Sequence, residues 1–172
     1  MKKFFIYFLI IFFAIVLQVS SVPLFFKSDW PVDIVLMLVL AWTLIDGFDA
    51  FLKWAVFAGL LYDLATFSAV GLHVIIFALL AYSVSFFSKR FSVEIKGTGI
   101  LLMMFFVSAA TICSRAILLS HEFGTGVIAN DISNFWQTLG MFSLAAFCNL
   151  LIFFVLFFML NWVGNFYYLK RN

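Results

Sequence analysis

Long unbroken apolar runs, with little alternation, organise this chain. Leu150 to Leu160 contains no polar residue at all, whereas a transmembrane barrel needs repeated stretches in which apolar and polar residues alternate. Helices are therefore the expected element. The hydrocarbon core of a bilayer is about 30 Å thick and a helix rises about 1.5 Å per residue, so a span takes about 20 mostly apolar residues. Six segments approach that need, at about 4–20, 31–45, 53–70, 72–87, 97–119 and 137–163. The second is the shortest, and the last is long enough to tilt or to lie partly in the interface. The longest stretch between spans, Ser120 to about Trp136, is too short for a soluble domain, and no internal repeat is evident. The expected fold class is an all-α integral membrane protein, a single polytopic domain over 1–172 built as a bundle of about six transmembrane helices.

Composition sharpens this picture. Of 172 residues, 66% are hydrophobic and 10% charged, against an apolar share of about 45–50% in soluble domains. So few charges cannot cover a water-soluble globule, and 26 Phe make lipid the natural solvent. A net charge of +2 is too small to indicate nucleic-acid binding. The basic residues instead read as topology markers, since cytoplasmic loops carry the excess of Lys and Arg. Lys2, Lys3, Lys53, Lys89, Arg90, Lys96, Lys170 and Arg171 fall on one side of the six-span layout, which places both termini in the cytoplasm. The first segment has two lysines before its apolar run, as a signal peptide would, but the run is long for that role and is read as a retained first helix.

Ionisable residues within spans cost roughly 2.5–3.5 kcal/mol at a helix centre on insertion scales, so each is a functional candidate. Two qualify, Asp63 and Arg115. Asp63 follows Lys53 by ten residues, about 15 Å along a helix, which places it near mid-membrane. Ala55, Gly59 and Asp63 are four apart and share one face, a small-residue stripe that lets another helix approach closely. The face suits packing inside the bundle or a partner's helix; proton or ligand handling is the less favoured role, because no second buried carboxylate or intramembrane His is expected beside Asp63. Arg115 follows Ser108, Thr111 and Ser114, and either snorkels to the outer interface or pairs with Asp63, whose depth differs by about 10 Å.

The remaining polar residues read as punctuation. Asp29 can cap the second helix, Pro31 suits its first turn, Asp33 favours the positive end of the helix dipole and Trp30 suits the interface. Asp46, Asp49 and Lys53 fit one solvated edge, and His73, just after Gly71, is expected at the headgroup level. His121, Glu122 and Asp131 match no metal spacing, and Gly124-Thr125-Gly126 lacks the flanking Lys of a phosphate loop. Cys113 and Cys148 read as small hydrophobes. No nucleophilic, metal or paired-carboxylate constellation is found, so no enzyme activity, cofactor or metal is expected.

Pro31-Val32-Asp33 at the head of an apolar helix, then Gly59-Leu60-Leu61-Tyr62-Asp63, then Gly71 eight residues further, resemble the bacterial rod shape-determining protein MreD family. Length, six-helix layout and the basic connection Lys89-Arg90 agree with it. The resemblance implies a non-enzymatic scaffold of the cell-elongation complex, or elongasome, in the bacterial inner membrane. Its implied partners are an MreC-like single-span periplasmic protein, the MreB filament system, and the polymerase and transpeptidase of lateral peptidoglycan synthesis. It also implies that Pro31, Asp33, Gly59, Asp63 and Gly71 carry the family pattern, as cap, dipole partner, close-packing site, polar anchor and tight outer turn. The alternative is a substrate-binding subunit of an energy-coupling-factor vitamin transporter. Such subunits commonly carry an Ala-x-x-x-Ala face on the first helix, where this chain has only Ala14.

Overall fold

The helix Ile34–Asp46 is apolar on every side, and each residue from Val35 to Thr43 is buried. A helix of that kind belongs at the centre of its bundle. The structure, a computed structural model, describes residues 2–25, 32–67, 69–91, 104–114 and 135–169, which are helical apart from short turns and contain no strand. In chain order the helices are α1 (Lys2–Val16), a π-helical turn (Leu17–Ser21), α2 (Val22–Phe25), α3 (Ile34–Asp46), α4 (Phe48–Thr66), α5 (Leu72–Phe91), α6 (Met104–Ser114) and α7 (Phe135–Leu169). Helices α1, α4, α5 and α7 all pack on α3, and α4 and α5 form a close hairpin beside it.

The outer helices turn apolar surface outward. On α1, Phe4, Phe5, Phe8, Phe12 and Phe13 are exposed while Ile11, Ala14 and Ile15 face the core. That distribution is inverted relative to a soluble protein and is what a lipid-solvated bundle requires. Among the described residues, two helical segments, Phe4–Ser21 and Ser143–Val163, are long and apolar enough to cross a membrane on their own, whereas the apolar parts of α3, α5 and α6 are shorter.

Several element ends differ from the sequence reading. Helix α3 starts at Ile34 with Asp33 as its N-cap, the carboxylate accepting from Leu36 N–H. Asp29, the expected cap, and Pro31 lie outside the described residues. A single residue, Gly47 at φ +83°, separates α3 from α4, so α4 runs over Phe48–Thr66 where 53–70 was expected. Asp49 and Lys53 are therefore helical and exposed. Asp46 turns away from that solvated edge: its Oδ2 accepts from the Tyr7 hydroxyl and, at 3.1 Å, from Trp42 Nε1–H. The rings of Tyr7 and Trp42 lie 4.3 Å apart, with Trp54 5.3 Å from Tyr7, so aromatic packing outcompetes hydration of this carboxylate. Of the expected span 97–119, the described residues include Met104–Ser114.

The π-turn has a local cause. Pro23 has no N–H and its ring clashes with the carbonyl four residues back, which disfavours a regular α-turn. The backbone widens, Val22 N–H bonds to Leu17 O, and Gln18 is left facing inward and buried. Widened turns of this sort often re-aim a side chain for a specific contact.

Candidate functional site

Asp63 stands in the last turn of α4 with no exposed surface. The chain reverses immediately after it. Phe67 takes a left-handed conformation (φ +53°) and donates its N–H to the Asp63 carbonyl, and Gly71 sits at φ +99°, a conformation that glycine adopts without steric cost. This turn brings the start of α5 onto the carboxylate. Gly71 N–H donates to Oδ2 at 2.6 Å and His73 N–H to Oδ1 at 3.1 Å, while His73 Nδ1 lies 2.6 Å from Oδ1. The first N–H groups of a helix have no partner inside it, and a negative group there also meets the positive end of the dipole. Asp63 is thus a cap supplied to α5 from the preceding helix. The imidazole is itself buried, with the Tyr62 ring edge-on at 4.6 Å and Phe77 at 5.8 Å.

Gly59, one turn earlier, makes this approach possible. A Cβ there would lie 2.6 Å from Val74 Cα and 2.7 Å from Val74 N, well inside van der Waals contact. Ala55, one turn further back, is fully buried. The stripe Ala55, Gly59, Asp63 is thus buried in the protein, and where it meets α5 the fit is against backbone.

A second polar cluster closes the start of α3. Gln18 Nε2 donates to Val32 O at 2.7 Å, and its Oε1 accepts from Ile34 N–H at 2.8 Å. Asn149 on α7 accepts from Asp33 N–H at 2.9 Å, and its Nδ2 reaches Thr111 Oγ1 on α6 at 3.3 Å. Thr111 in turn donates to Val107 O at 2.9 Å. Gln18, Thr111 and Asn149 are all buried. One backbone segment, 32–34, is held by side chains from two other elements, and the N–H groups of Asp33, Ile34 and Leu36 at the start of α3 are met by side chains. Asn149→Leu is expected to leave Asp33 N–H unpaired and to cost about 1–3 kcal/mol, read as a lowered unfolding temperature in detergent. Thr111→Val, which spares Asp33 N–H, is expected to cost less.

Both aspartates of the sequence pattern therefore do the same work: Asp33 caps α3 locally and Asp63 caps α5 from a distance. Caps of this kind join helices, and they are met here at the positions on which the family resemblance rests. The family model described as rod shape-determining protein MreD matches residues 1–163. The chain belongs to the MreD family. No curated protein and no solved structure matches it significantly. MreD proteins are membrane proteins that determine rod shape and are not a catalytic family; the membrane character agrees with the apolar exterior.

Of the residues singled out from the sequence, Asp33, Ala55, Gly59, Asp63 and Gly71 fall into these two clusters, while Pro31 and Arg115 lie outside the described residues, as do His121, Glu122, Asp131 and the Gly124–Gly126 turn. His73 was expected at the headgroups and free of Asp63. It is buried and bonded to it, because the tight turn at Gly71 folds α5 back onto the end of α4. Asp63 itself lies in the last turn of α4, which ends at Thr66. Gln18 and Asn149 escaped sequence reasoning altogether. The signal in the sequence is weak: Gln18 is the one carboxamide of its apolar run, but Asn149 shares its run with Asn161, and a neutral amide is less costly in lipid than an ionisable group and stands out less.

Proposed function

We propose that this MreD-family chain is a non-enzymatic scaffold of the cell-elongation complex in the bacterial inner membrane. In this reading it crosses the membrane six times with both termini cytoplasmic, binds an MreC-like single-span protein, and helps organise lateral peptidoglycan synthesis together with the MreB filament system. The observation that carries the reading is the family match over residues 1–163. The two polar clusters support it, because their groups are committed to holding helix ends together, a use suited to a rigid docking platform and not to turnover. We assign Ala55, Gly59, Asp63 and Gly71 to helix packing within the chain, and leave partner contact to other surfaces.

Depletion in a rod-shaped host is the direct test. Cells are expected to round or swell, a plasmid copy to restore rods, and a tagged copy to co-purify a single-span protein with a large periplasmic part. Normal shape with loss of vitamin uptake would instead favour the transporter-subunit alternative.

A further inference from the structure

Asp46 carries a charge that the chain itself does not use. Its Oδ2 accepts from the Tyr7 hydroxyl and from Trp42 Nε1–H, two neutral donors that an amide oxygen would serve as well. As the last residue of α3 it opposes the dipole of that helix, and neither of those bonds goes to the first N–H groups of α4. No described basic side chain makes an ion pair with it. The second oxygen, Oδ1, accepts from no described residue. That atom is open to the outside, because among the described residues no fully buried side-chain N or O lacks a partner.

The surroundings of this open oxygen have the polarity of a lipid in the right order. Tyr7 and Trp54, both half-buried, have their rings 5.3 Å apart beside the carboxylate, and Phe4 lies 4.9 Å from Trp54. Aromatic faces attract a cation, and Trp and Tyr are enriched at headgroup level. Lys53, the chain neighbour of Trp54, is exposed and brings an ammonium to the same end of α4. Deeper along the seam between α1 and α4, the rings of Phe8 and Phe57 lie 5.8 Å apart, and Phe8 and Phe12 are exposed. We infer that Asp46 is the headgroup site for a lipid with a primary ammonium, of the phosphatidylethanolamine class. The ammonium donates to Oδ1 beside Tyr7 and Trp54, Lys53 meets the phosphate, and an acyl chain follows Phe8 and Phe12. Phosphatidylcholine has no N–H to donate and phosphatidylglycerol has no cation. A partner protein's lysine offers the ammonium alone, and leaves Lys53 and the apolar track without a counterpart. The inference rests on the membrane-spanning reading above, which puts this end of α3 at the cytoplasmic headgroups, and is independent of which protein the chain binds.

Native mass spectrometry of the full chain released from detergent micelles tests it, with phosphatidylethanolamine, phosphatidylcholine and phosphatidylglycerol of identical acyl chains. Phosphatidylethanolamine is expected to be retained roughly tenfold over phosphatidylcholine, the size of one hydrogen bond to a charged group. Asp46→Asn keeps an oxygen for Tyr7 and Trp42 but turns an amide N–H toward the headgroup, and is expected to lose that preference; its melting temperature in lipid-free detergent checks the fold. Lys53→Gln, at an exposed position, is expected to weaken phosphatidylethanolamine and phosphatidylglycerol together while the first still exceeds phosphatidylcholine. Equal retention of phosphatidylethanolamine and phosphatidylcholine by the wild type, stronger retention of phosphatidylglycerol, or a preference that survives Asp46→Asn each overturns the inference. So does a lysine-rich peptide that binds through Asp46 while the lipids show no preference, which places a protein's basic side chain there instead. Alkaline carbonate separates the two readings: protein that resists extraction from membranes but shows no headgroup preference overturns the site alone, and protein released by carbonate overturns the membrane-spanning reading as well.

Discussion

Asp63→Ala is expected to unfold the α4–α5 hairpin and to abolish rod-shape complementation through loss of folded protein. The carboxylate accepts from Gly71 N–H, His73 N–H and lies against His73 Nδ1, so its removal strands several buried donors at once. Each costs about 1–3 kcal/mol when left unpaired, and the sum is a large part of the 5–15 kcal/mol that holds a typical domain folded. Water cannot make good the loss where the site is fully buried. Asp63→Asn keeps the shape and one acceptor oxygen but presents an amide N–H to one of the donors, so it is expected to fall between wild type and Asp63→Ala. Circular dichroism melts of the purified variants in detergent, with membrane levels by immunoblot, measure this directly. If Asp63 instead served mainly to bind a partner's helix, Asp63→Ala would keep its melting temperature and membrane level and fail only in co-purification. That outcome would refute the capping role.

The architecture was legible in the sequence wherever lipid imposed a one-dimensional rule. Apolar run length indicated where the described helices lie, Asp63 stood out because a carboxylate in an apolar run has few inexpensive roles, and Asp33 was marked by its place at the head of an apolar helix. What could not be read was partnership. His73 is ten residues from Asp63, too far for a helical-face argument, and only the reversal at Phe67 and Gly71 brings them together. Phe67 is the harder half of that reversal: a phenylalanine at positive φ gives no advance notice, where a glycine at 71 does. Helix ends were misplaced for a related reason. Gly47 alone separates α3 from α4, and a single glycine among apolar residues reads as a tolerated interruption. Gln18 shows the same limit at longer range. Its role depends on a π-turn set by Pro23 five residues later and on the carbonyl of Val32 fourteen residues away, and neither follows from periodicity.

Gly59→Ala provides the second large expected effect, and here the sign is as informative as the size. In a helix interior with ordinary space, glycine to alanine stabilises by roughly 0.5–1 kcal/mol, since alanine loses less conformational freedom on folding. At position 59 the added methyl would meet Val74 Cα at 2.6 Å and Val74 N at 2.7 Å. Both are backbone atoms, so no rotamer change relieves the clash and α5 has to move away from α4. Overpacking of this kind costs typically about 1–3 kcal/mol, and Gly59→Val is expected to exceed Gly59→Ala. The displacement also strikes Asp63, whose 3.1 Å bond from His73 N–H is already near the long end of hydrogen-bond range. The two sites are therefore coupled. A double-mutant cycle on Gly59→Ala and Asp63→Ala is expected to give a combined loss smaller than the sum of the singles, because both break the same contact between α4 and the start of α5. Additive losses, or a Gly59→Ala variant that melts above wild type, would mean that the two helices have room to part at Gly59 and that Asp63 holds α5 without the close approach.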